Sequence, residues 1–131
     1  MMGNDLVNHF GRLESRVAGQ KGEFALFALF QREEAPGRWD LIVSAPWIGT
    51  DKNAAVDFFV NEIQSYLGPE NLTLLSRIVV VDPDNSAVEA LNRAVHVEHG
   101  NTEIRDSNLF GLPVKHAIII TSKRPSAPVV H

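Results

Sequence analysis

Apolar positions recur along the chain with two periods, one helical and one extended. Leu6, Phe10, Leu13 and Val17 are spaced by four, three and four residues, which places them on one stripe of a helix. Asn4 is its candidate N-cap and Gly19 or Gly22 its candidate stop; Gly11 in its middle costs about 1 kcal/mol against alanine. From Glu23 to Gln31 the pattern changes to continuous apolar character, with Phe24, Leu26, Ala28 and Phe30 pointing one way and Ala25, Phe27 and Leu29 the other. Such a run predicts a strand covered on both faces. Pro36-Gly37 supplies a turn, and Trp39 to Ala45 a second strand, so the two form an antiparallel hairpin.

Thr50 or Asp51 opens a second helix, with Ala55, Phe58 or Phe59, Ile63 and Tyr66 with Leu67 along one side; Gly68 fits its C′ position and Pro69 ends it. Arg77 to Asp82 is β-branched throughout its centre and predicts a buried strand. Strand, helix and strand in succession favour a right-handed crossover and a parallel pair. Ser86-Ala87-Val88-Glu89 has the form of a capping box for a helix ending near Ala94. Gly100-Asn101 separates two short runs by the loop length of a tight hairpin, and Val114 to Thr121 is a last strand. The predicted fold is α/β (or α+β): a single domain over 1–123, built on a mixed sheet of four to six strands with helices packed on its faces, followed by a frayed tail at 124–131.

Composition supports a core of this kind. Leu, Ile, Val and Phe make up 41 of 131 residues, well above the roughly 20% below which chains tend to stay disordered. The absence of cysteine excludes disulfides, thiolate metal sites and a cysteine nucleophile. The longest apolar run, Phe24 to Phe30, is too short to span a bilayer, and Met1 to Asp5 lacks the order of a signal peptide. The expected location is therefore the cytoplasm. All 16 acids and nine of the 12 bases lie in residues 1–106, leaving Lys115, Lys123 and Arg124 as a small basic end. An acidic body of this kind repels a phosphate backbone and disfavours a nucleic-acid partner.

The motif search excludes several chemistries. No two glycines form Gly-x-Gly, and there is no G-x-S-x-G or H-E-x-x-H. His96-Val97-Glu98 matches half of a zinc-deaminase signature whose other half needs cysteines. A nuclease reading takes Asp40 as a first acid but finds no acid or lysine inside the strand Ile78 to Val81.

Two clusters retain some chemical potential. With a two-residue loop at Gly100-Asn101, Glu98 stands opposite Glu103, and His96 opposite Arg105, on one face. A divalent metal held by His96, Glu98 and Glu103, with His116 as a further ligand, relieves the repulsion of the two carboxylates; pairing of Arg105 with Glu98 on a solvated face does so without one. Asp82 and Asp84 follow a strand at the carboxyl edge of the sheet, where ligands of open α/β sheets gather. They are candidates for Mg²⁺ ligation or general-base work, although the turn into the next helix first suggests capping.

Trp39 and Trp47 flank the second strand, either as core or as an aromatic patch for self-association. A complete core with no complete catalytic constellation leads to a non-enzymatic module that binds a protein partner or itself, with a homodimer expected and no cofactor. The alternative is a small metal-dependent hydrolase or phosphoryl-transfer enzyme using these Asp, His and Glu residues.

Overall fold

In a computed structural model that describes residues 2–124, the chain forms one five-stranded mixed sheet with four helices. Helix α1 spans Met2–Lys21 and strands β1 and β2 span Leu26–Arg32 and Trp39–Ser44. Helix α2, Lys52–Glu62, continues through a π-helical turn at Ile63–Leu67 into the short α3, Pro69–Leu72. Strand β3 is Leu75–Val80, helix α4 is Ser86–Ala94, and strands β4 and β5 are Thr102–Leu109 and Leu112–Ser122. Their order across the sheet is β3-β2-β1-β5-β4. The predicted tail beyond Arg124 lies outside the described residues.

The apolar alternation of β1 divides the core in two. Phe27 and Leu29 join Leu6, Phe10, Leu13 and Val17 of α1 with Phe59 of α2 on one face. Leu26, Ala28 and Phe30 meet Val88 and Leu91 of α4 on the other. Phe24 precedes the strand and falls out of its phase, joining the α1 side, where its ring lies 5.0 Å from Phe27 and 5.5 Å from Trp47. Gly22 ends α1 with φ of 127°. A side chain there would also press on Trp47, whose indole N–H donates to the Gly22 carbonyl at 2.9 Å.

The predicted β1–β2 hairpin and the parallel β2–β3 pair are both present. The helix starts shift slightly. Asp51 caps α2 through Ala54 N–H at 3.0 Å. α1 already runs from Met2, so Asn4 is inside it rather than at its cap. Asn85, one residue before the predicted Ser86, caps α4 by accepting from Ala87 N–H at 2.8 Å; its amide oxygen reaches the free donor first.

The hairpin predicted at Gly100-Asn101 does not form. β4 and β5 are joined instead at Phe110-Gly111, whose φ angles of 56° and 73° are both positive, as a tight two-residue hairpin turn demands. Phe110 holds that unfavourable conformation while packing its ring 5.8 Å from Phe30. Residues 95–101 run on beside β5, with Val97 bridging to Ser122 while Thr102 pairs with Ile119. The two registers differ by two residues, so the segment is a bulged extension of the β4 edge. Continued pairing along β5 satisfies more backbone groups than a turn would.

One buried polar atom, Oγ of Ser44, lacks a hydrogen-bond partner among the described residues. Ser44→Ala is therefore expected to raise stability by about 1 kcal/mol, since it removes an uncompensated desolvation. A loss in urea unfolding would contradict this.

Candidate functional site

Register decides the fate of the sequence-derived candidates. Because the hairpin lies ten residues later than predicted, Glu103 stands opposite Ile118 rather than Glu98. Glu103 Oε1 contacts His116 Nε2 at 2.6 Å, so two of the four proposed ligands meet. Glu98 is turned away to Lys123, at 2.7 Å, and His96 is exposed. Among the described residues no three His, Asp or Glu side chains are grouped so as to hold a metal. Asp82 and Asp84 are exposed on the turn after β3, with Asp82 Oδ2 3.5 Å from Lys52 Nζ. Trp47 packs among Phe24, Phe58 and Phe59, and Trp39 lies edge-on to His116 at 5.4 Å; both rings are engaged within the chain.

Two buried acids organise the polar architecture: Asp40, the first acid of the nuclease reading, and Glu14, which no sequence-derived site included. Asp40 is 3% exposed and accepts from Arg32 Nε at 2.7 Å and Arg77 Nε at 3.0 Å. Its hydrogen bond raises the Arg32 pKa above the usual guanidinium range, and Glu34 adds to this. The second acid, Glu14, is fully buried on the apolar side of α1. Its Oε2 accepts from the Thr121 hydroxyl at 2.9 Å and its Oε1 lies 2.6 Å from Nδ1 of His99. Thr121 Oγ1 in turn accepts from the backbone N–H of His99 at 3.1 Å.

These contacts close a ring through α1, β5 and the segment before β4. The ring grips His99 by both main chain and imidazole. His99 has φ of 53°, a conformation that costs a non-glycine residue energy and is kept only where surroundings enforce it. With Nδ1 engaged by Glu14, the orientation of the imidazole is set and Nε2 is directed outward; the side chain is 46% exposed. Glu98 Oε2 lies 3.8 Å from Nε2, and the same oxygen binds Lys123 Nζ, which also contacts Glu23 at 3.0 Å. Hydrogen bonds from Lys123 to Glu98 and then Glu23 raise the lysine pKa.

His99, Gly100 and Asn101 form one wall of an open groove of about 730 Å³, and Val7, Asn8, Gly11, Arg12, Ser15 and Arg16 of α1 form the other. Tyr66 closes one side, with the Arg16 guanidinium 4.7 Å from its ring centre. A signal for Glu14 was present in the sequence: it lies four residues after Phe10 and three before Val17, inside the apolar stripe.

The sheet edges contrast. β4 is blunted by exposed Glu103, Arg105, Asp106 and Asn108 and by the positive φ of Asp106, 51°. β3 carries exposed Ser76 and Arg77 in its first half, partly exposed Ile78, Val79 and Val80 in its second, and no positive φ. Among the described residues no strand pairs with its outer side. No helix among the described residues is long and apolar enough to cross a membrane. Comparison with protein-family models, with curated proteins and with solved structures gives no match, so the site stands on its own geometry.

Proposed function

We propose that this chain is a cytoplasmic, non-enzymatic module that works by self-association, as a homodimer joined edge to edge through β3. The observation that carries the proposal is the open edge of β3, apolar over Ile78, Val79 and Val80, at the opposite side of the sheet from a β4 edge blunted in two ways. An open edge offers a row of unpaired backbone donors and acceptors to another chain. A second copy supplies the matching row through a two-fold axis perpendicular to the sheet, the commonest symmetry of oligomers. Antiparallel pairing about that axis sets residues of the same face opposite one another. Ile78 and Val80 thus meet Ile78 and Val80 of the other copy, or Val79 meets itself, with no like charges in direct opposition.

The N–H of Val81 points inward, to the Val43 carbonyl at 2.9 Å. Alternation along the strand turns the N–H of Val80 outward. Val80→Pro therefore removes an edge donor while leaving the ladder to β2 intact. Light scattering after gel filtration is expected to give a dimer for the natural sequence. Val80→Pro and Val80→Lys are both expected to give folded monomers by circular dichroism. A natural chain that stays monomeric at every concentration reached, or two folded variants that stay dimeric, would overturn the proposal.

A further inference from the structure

We infer that the groove along α1 is a binding site for a small oxyanion, a phosphate or carboxylate group, with Arg12 as its principal charged contact. The inference is independent of the β3 edge and of oligomeric state. In a chain with formal net charge −4, none of the ten residues lining this groove is acidic. Arg12, Arg16 and His99 lie along it with Asn8, Asn101, Ser15 and Tyr66.

The surrounding acids are already engaged. Glu14 is buried under His99, Glu62 lies 3.4 Å from Arg16, and Glu98 is held by Lys123 to one side of the imidazole. Arg12 is exposed and, among the described residues, has no carboxylate partner. A free guanidinium beside side-chain amides and hydroxyls is a donor-rich surface suited to planar or tetrahedral oxyanions.

The shape of the groove points the same way. Gly11 lies in its wall, and a Cβ built there meets nothing within 4 Å. The helix thus leaves room beside Arg12 where any other residue would intrude. That placement uses a poor helix former at the centre of α1, a cost of about 1 kcal/mol that the groove explains. The opposite wall is fixed by the ring through Glu14 and Thr121, so the site is largely formed before anything enters it.

The test is an amide-resolved NMR titration with inorganic phosphate and, separately, with acetate at matched ionic strength. Saturable shifts at Asn8, Gly11, Arg12, Ser15, Gly100 and Asn101 are expected with at least one of the two, and which one saturates identifies the anion. Arg12→Gln is expected to weaken binding by about ten-fold or more, as loss of a charge-assisted contact does. Arg93→Gln, on α4 at the opposite face of the sheet, removes the same net charge and is expected to leave binding unchanged. Gly11→Leu is expected to block binding without lowering the melting temperature. Failure of both anions to saturate, or equal weakening by Arg93→Gln and Arg12→Gln, would overturn the inference.

Discussion

Asp40→Ala is expected to destabilise the protein by about 3 kcal/mol, the larger of the two principal effects predicted for its buried acids. The carboxylate is almost wholly buried and holds two guanidiniums, so its removal leaves Arg32, 14% exposed, facing an apolar sheet with only the exposed Glu34 as partner. Breaking a buried pair from one side typically costs about 3–5 kcal/mol. The lower end applies here because Arg77 is half exposed and can return to water. The arginine side gives the control: Arg77→Ala is expected to cost about 1 kcal/mol or less. Urea unfolding of both variants checks the pair. A loss below about 1 kcal/mol for Asp40→Ala would mean that solvent reaches Arg32 in a way its burial does not suggest.

Glu14→Ala is expected to cost about 2–3 kcal/mol and to free the His99 imidazole. The stability loss has two sources: the Thr121 hydroxyl loses its acceptor in a buried place, and a cavity opens beneath the groove. His99 can reach water, which limits the penalty on its side. The distinguishing measurement is the His99 ring signal in NMR. In the natural chain it should show one fixed conformation, and in Glu14→Ala an averaged one. Glu14→Ala with an unaltered His99 signal would mean that the backbone contact to Thr121 alone positions the ring.

These two acids also show where sequence reasoning succeeded and where it stopped. Binary pattern specifies β1 almost residue by residue, because every position from Leu26 to Phe30 is buried and its side must match one of two clusters. The helix ends were off by a residue or two where neighbouring residues compete to cap, as with Asn85 and Ser86. The ring around Glu14 was not assembled because its partners are 85 and 107 residues distant along the chain. Only the sheet brings them together. An acid inside an apolar stripe was the legible part, and it says that a partner exists without saying which.

The hairpin register has a wider consequence. Gly100-Asn101 carries turn residues in a turn-sized gap, whereas Phe110-Gly111 places a bulky aromatic where both φ angles are positive. Local preference favoured the first, and pairing along an eleven-residue β5 with an aromatic contact to Phe30 favoured the second. Once the register moved, the proposed facing of Glu98 and Glu103 was lost, and with it the four-residue metal arrangement.

The strand order has a consequence for how this chain must be made. β1 lies at the centre of the sheet, yet its second neighbour is β5, the last strand in chain order among the described residues. A nascent chain that has emerged only as far as α4 can build β3-β2-β1, but one side of its most apolar strand is then a bare edge. α1 waits too, because the long-range partners of its buried Glu14, His99 and Thr121, emerge only later. Long-range closure of this kind slows folding and exposes apolar strands to aggregation meanwhile. Shielding by the ribosome or a chaperone would have to last until about residue 122 is free, and a message truncated before β5 would yield a sticky fragment.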